Sequence, residues 1–221
     1  MFNKRHIVRT IAATVSILAL SFTAACGSGQ STASNSTDSD DITQQTYKPG
    51  KLTIATGQPA YEPWVMNDKP ESGEGYEAAV AYAVADKLGF KKSDVVWTRT
   101  AFDTAIAPGA KDWDFNIQQF GITDERKKAV DFSSSYYNDS QSVVVKKDSK
   151  FANATKVSDL KDATVGVMVG TLAYDYAKAN IKDDIQTFND DAALAQALDA
   201  GQIAALVTST VECVYMVQSE Q

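Results

Sequence analysis

One histidine and two cysteines in 221 residues leave little from which to build the commonest catalytic and metal sites. The histidine is His6, near the N-terminus, so the rest of the chain has no imidazole for a nucleophilic triad or a His/Cys zinc site. Cys26 and Cys213 form no pattern of a disulfide framework. Five prolines and 12 glycines are too few for a collagen-like or low-complexity chain. Basic residues are also short in supply, at 21 Lys and Arg against 28 Asp and Glu, and Lys4, Arg5 and Arg9 all lie in the first ten positions. Without that end the balance is 18 against 28, which argues against nucleic acid as a partner.

The first 25 residues read as an address. A basic stretch through Arg9 is followed by the apolar run Ile11 to Phe22, then by Thr23-Ala24-Ala25 before Cys26. That order is the order of a secretory signal, and the apolar run is too short for an ordinary membrane-spanning helix. Ala24-Ala25-Cys26 resembles a bacterial lipobox, in which the cysteine is acylated and becomes the new N-terminus; Thr23 stands where the first lipobox residue is usually Leu. Residues 26–50 are mostly Ser, Thr, Gly, Asn, Gln and Asp, the composition of a disordered tether. An exported protein, lipid-anchored to the outer face of the bacterial cell membrane, is the expectation. Cys213 is then left as an unpaired thiol.

From Lys51 the pattern alternates strand and helix. Lys51–Thr56 alternates apolar and polar residues, and Gly75–Leu88 places Ala79, Val80, Ala83, Val84 and Leu88 at helical spacing before Gly89. Short strands are predicted at 95–98 and 114–120, with a helical turn at 102–107. A second series runs strand 164–168, helix 172–179, strand 184–188, helix 191–200 and strand 203–207. Such alternation predicts an α/β protein with parallel-rich sheets flanked by helices. The apolar extended run at 142–147 suggests a passage between two lobes, 51–143 and 144–221, with a ligand crevice between them.

Several ordered segments are similar to one family. Thr53–Thr56 with Tyr61-Glu62-Pro63-Trp64, Gly75-Tyr76-Glu77 opening a helix, Val157–Lys161, and Val167–Thr171 resemble the bacterial family 3 solute-binding proteins, the amino-acid receptors of ABC importers. The run Gly121-Ile122-Thr123-Asp124-Glu125-Arg126, continued to Val130-Asp131-Phe132-Ser133, resembles that family's T-I-T-x-x-R-x-x-x-V-D-F-S motif. The resemblance implies a two-lobed, type II periplasmic-binding-protein-like fold that closes on its ligand about a hinge. It also implies a C-terminal return to lobe 1, and this chain reaches Gln221 inside the helix after the last predicted strand, as a truncated receptor would.

The same resemblance assigns ligand contacts. Arg126 would hold a carboxylate, since a guanidinium binds it bidentately and keeps its charge. Gly170-Thr171-Leu172 would present a helix N-terminus to an anion, with the Thr171 hydroxyl either capping the helix or turning to the ligand. Tyr61 and Phe102 would face the apolar part of the ligand, and Trp64 either that ligand or the interior. Gln119 and Gly121 would approach an ammonium through main-chain groups. Ser209 stands where relatives commonly carry an Asp that pairs with the ammonium. Glu212, three residues on, either substitutes for that Asp or is a solvated helix-face residue, the second being the preferred reading. The implied partners are a small amino-acid-like ligand, an ABC permease and the membrane, with no cofactor, metal or nucleic acid. The alternatives are a degenerate or signalling receptor and an enzyme on the same fold, the latter without a histidine to act as general acid or base.

Overall fold

The computed structural model describes residues 41–219, so the signal, the lipobox and Cys26 lie outside the described residues. Two sheets organise the chain. The first is built from three parallel strands in the order β2-β1-β3: β1 (Leu52–Gly57), β2 (Val95–Thr100) and β3 (Phe115–Asn116). Leu52 and Ile54 are buried with Phe90, Phe115 and Ile117 beneath α1 (Tyr76–Lys87). A five-residue helix, α2 (Phe102–Ile106), follows β2.

The helix facing the first sheet is turned differently from the sequence prediction. Glu77, Ala78, Ala81 and Ala85 are its buried residues, whereas Ala79, Ala83 and Val84 face outward. The segment is apolar nearly all round, so spacing alone does not set its phase. Small alanines set it instead, because they let the helix lie close to the sheet. Gly75, at φ +99°, makes the approach possible: a Cβ there would sit 2.5 Å from the Trp64 carbonyl oxygen.

The second sheet has the order β4-β7-β5-β6, from β4 (Gln141–Val144), β5 (Val165–Met168), β6 (Ile185–Phe188) and β7 (Ala205–Ser209). β5 is parallel to β6 and β7, and β4 is antiparallel to β7. Alternate residues of β7 serve two cores. Ala205 and Val207 join Val165, Val167, Ala173 and Ala177 under α3 (Leu172–Asn180), while Leu206 joins Leu194, Leu198 and Ile203 under α4 (Asp191–Asp199). Both faces of this sheet are therefore covered, as strands with near-continuous apolar sequence require. A last helix, α5 (Thr210–Ser219), follows β7 directly.

Two boundaries differ from the sequence reading. Gln141–Val144 is a strand of the second sheet, paired from Gln141↔Ser209 to Val144↔Leu206, so the second lobe takes up the chain before residue 144. At the other end, residues 41–50 already attach to the first lobe, although their composition marks them as tether. Asp41 caps the 3-10 turn Ile42–Gln44, Gly50 N–H donates to the Thr43 carbonyl at 2.8 Å, and Asp114 accepts from the Tyr47 and Thr53 amides. One carboxylate satisfying two amides orders a segment that has little apolar surface of its own.

Candidate functional site

The C-terminal ends of the strands in both lobes converge on one cleft, a cavity of about 420 Å³. This is the edge where open α/β sheets bind ligands. Tyr61, Trp64, Phe102, Gln119, Gly121, Arg126, Thr171, Leu172 and Ser209 all line it. Sequence positions 61 and 209 are thus brought to one surface by the crossing of the chain between the lobes.

Arg126 lies at the start of a single 3-10 turn, Arg126–Lys128. Its backbone N–H donates to the Thr123 hydroxyl at 3.1 Å. The guanidinium donates through Nη1 to the Gly121 carbonyl at 2.8 Å and through Nη2 to the Gly170 carbonyl at 2.9 Å, one acceptor in each lobe. Its carbon centre is 5.8 Å from the ring centroid of Phe102 and 5.5 Å from that of Phe120, and these two rings stack with centroids 4.1 Å apart. Burial lowers its pKa and Asp175 opposes that shift, but an arginine keeps its charge. A fixed, partly dehydrated cation thus faces the cavity with donors to spare.

The loop that carries Gly121 is held from behind. Glu77, fully buried in the first turn of α1, accepts from the Gln119 backbone N–H at 2.8 Å, from the Gln119 side-chain amide and from the Tyr136 hydroxyl. These bonds fix Gln119 in a left-handed conformation, φ 52°. Burial nevertheless pushes the Glu77 pKa up to about 7, against the lowering effect of its donors. Gln119 therefore contributes to the cleft as a positioned backbone, its side chain being engaged with Glu77. Gly121 has no room for a side chain, since a Cβ there would overlap Leu172 Cδ1 from the opposite lobe.

The Thr171 hydroxyl is occupied at its helix. It donates to the Met168 carbonyl at 2.7 Å and accepts from the Tyr174 N–H at 3.3 Å, as the N-cap of α3. Ser209 acts similarly, accepting from the Glu212 N–H at 3.2 Å. Tyr61 reaches across the cleft, its hydroxyl accepting from the Ala192 N–H at 3.3 Å, and burial raises its pKa to about 12. Trp64 is 3% exposed and packs edge-on against Tyr76 and Tyr137, but it also bounds the cavity.

Glu212 is where sequence reasoning goes furthest astray. It is buried, not solvated, and lines the cleft, with Oε2 accepting from the Thr208 hydroxyl at 2.5 Å. The reason is positional: α5 begins immediately after β7, so its first turn still lies at the cleft edge. Asp191, the first residue of α4, reaches the same cavity. Burial raises the pKa of both; Glu212 and Asp190 raise that of Asp191 further, and Asp139 that of Glu212. The Trp64 indole N–H is near enough to Glu212 to favour its charged form, yet completes no hydrogen bond. The abrupt change from β7 to a polar helix start was the available signal for Glu212. None marked Asp191.

Residues 52–211 match the model of the bacterial extracellular solute-binding proteins, family 3. The chain belongs to this family. Among curated members it is similar to the L-cystine-binding protein TcyJ of Escherichia coli (strain K12), 31% identical over 160 residues, 72% of this chain and 59% of that protein. It is 31% identical to the glutamine-binding protein of Geobacillus stearothermophilus over 225 residues, covering 93% of this chain and 82% of that protein. The chain thus spans about 59% of the cystine-binding relative's length. Among solved structures, an ancestral arginine-binding protein bound to arginine aligns with a TM-score of 0.66 at 32% identity, covering 78% of this chain and 76% of that one. The ancestral amino acid-binding protein AncCDT-1, a precursor of cyclohexadienyl dehydratase, aligns at 0.65 and 33% identity, covering 76% and 75%. The type II periplasmic-binding fold is accordingly that of this family member.

Proposed function

We propose that this chain is the substrate-binding component of an ABC importer and captures an amino acid or a related small zwitterion between its lobes. The observation that carries the reading is the position of Arg126, a permanent cation with one donor to each lobe and an aromatic pair beside it. A ligand carboxylate at that guanidinium forms charge-assisted bonds, while Phe102 and Tyr61 cover its apolar portion. Thr171 orders the start of α3 and Leu172 presses on Gly121, so that lobe 2 closes as a rigid unit over a guest held first by lobe 1. Relatives named for cystine, glutamine and arginine support the amino-acid class.

Two further steps complete the proposal. Acylation of Cys26 anchors the protein outside the cell membrane, and the closed form docks on a permease. No reacting group is required, and the relatives are named as binding proteins. Titration calorimetry of the full chain against the common amino acids is the direct test, with small-angle scattering to follow closure. Micromolar or tighter binding by at least one of them, with a smaller radius of gyration, is expected. Millimolar or absent binding by all overturns the reading in favour of a receptor whose pocket no longer functions.

A further inference from the structure

The charge of the cleft is unbalanced beyond the need of a simple zwitterion. Among the described residues that line it, Arg126 is the basic one, against Glu77, Asp139, Asp191 and Glu212. Glu77 engages both oxygens within lobe 1, and Asp139 accepts from the Ser140 N–H beside it. Asp191 and Glu212 remain, both from lobe 2, close enough to feel each other's charge. Neither forms an ion pair among the described residues.

Buried polar groups without partners bound the same cavity. Thr56, at the end of β1, is 1% exposed and its hydroxyl makes no hydrogen bond. The Trp64 indole N–H completes none either, but it is a donor set toward Glu212 and so does not itself call for a cation. Native interiors leave few such groups, and a polar guest satisfies them. Among the described residues no three acidic, histidine or cysteine side chains converge closely enough to hold a metal ion. An organic cation is therefore the occupant that fits.

We infer that the cleft selects a ligand of net positive charge, a basic amino acid whose carboxylate lies on Arg126 and whose cationic groups lie against Asp191 and Glu212. This rests on the amino-acid reading above and narrows it. Arg126 counted against Asp191 and Glu212 alone leaves one net negative charge when these are ionised, which a monocationic amino acid neutralises and a neutral zwitterion does not. Pairing is what makes buried carboxylates tolerable as anions. In the unliganded cleft burial favours their protonated forms, with Asp190 and Asp139 adding repulsion and the Tyr61 hydroxyl and Cys213 thiol remaining neutral. A cation reverses that preference, so binding releases protons.

Calorimetry of the full chain at pH 7.5, in two buffers of different ionisation enthalpy, tests this with L-arginine, L-ornithine, L-glutamine and putrescine. Arginine or ornithine is expected to bind at least about ten-fold more tightly than glutamine, with proton release. Asp191→Asn should weaken that ligand about ten-fold or more and glutamine by less, so that the preference for the basic amino acid narrows. Glu212→Gln, which keeps the side chain's shape, should narrow the same ratio if the first variant folds poorly. Glutamine binding as tightly as both basic amino acids, or ratios unmoved in folded variants, overturns the charge inference while leaving the amino-acid reading intact. Failure of all three amino acids, or putrescine matching arginine, overturns the carboxylate role of Arg126 itself.

Discussion

Arg126 Nη2 lies 2.9 Å from the carbonyl oxygen of Gly170, although the two residues are 44 positions apart and belong to different lobes. The same guanidinium holds Gly121 of its own lobe through Nη1. One side chain thus measures the width of the cleft. Its remaining donors are available to a carboxylate, so under the proposed function closure and ligand capture would depend on the same group.

Arg126→Ala is expected to weaken amino-acid binding by about 3 kcal/mol, roughly two decades in Kd, since charged hydrogen bonds of this kind contribute about 1.5–3 kcal/mol each. Arg126→Lys should recover less than half of that, because an ammonium lacks the planar fork. Calorimetry measures the affinities and circular dichroism the fold. Loss of the fold together with binding would make Arg126 a structural residue.

Gly121 and Leu172 form a contact that a substitution can jam. Gly121→Ala places a methyl where Leu172 Cδ1 lies and should weaken binding about ten-fold by resisting closure. Adding Leu172→Ala to it should restore much of that loss. The double-mutant cycle reads the coupling between lobes directly; additive effects would show that the two residues do not meet in the liganded form.

Glu77 predicts an inverted dependence of stability on pH. Its pKa is raised from the ordinary 4.5 to about 7, so between those values the folded chain holds a proton that the unfolded chain has lost. Stability therefore falls as pH rises through that window, by on the order of 2–3 kcal/mol from this group. Asp191 acts in the same sense. Urea unfolding at pH 5, 6, 7 and 8 should show falling midpoints, and Glu77→Gln should flatten the slope between pH 5 and 7. A slope unchanged by Glu77→Gln would assign the dependence elsewhere.

Cys213 is buried in the first half of α5 and its thiol pKa is pushed up to about 12 by burial. The thiolate, the reactive form, is scarce at neutral pH. Labelling by a thiol reagent should be negligible in the native chain and complete in about 6 M urea, a concentration at which a domain of ordinary stability is unfolded. Fast native labelling would place α5 outside the folded body.

The alternating elements were legible because strands and helices carry different periods. The seven strands among the described residues fall on or within two residues of runs read from the sequence, and Arg126 was singled out by its motif. The rotation of α1 was not legible, since Ala and Val occupy every side of that helix and the close fit to Trp64 at Gly75 decides which alanines face in. The role of Thr171 was left open between cap and ligand contact, and its two bonds to Met168 and Tyr174 occupy the hydroxyl at the helix start.

The linear order of residues determined the strand and helix succession, the guanidinium in its motif and the acidic excess, because each is a property of local composition and spacing. Only the tertiary structure decided that Glu212 is buried and that Asp191 shares its cavity, because charge is felt through space. Two carboxylates 21 positions apart are indifferent to each other in an extended chain, and become one electrostatic unit when the first turns of α4 and α5 reach the same cleft.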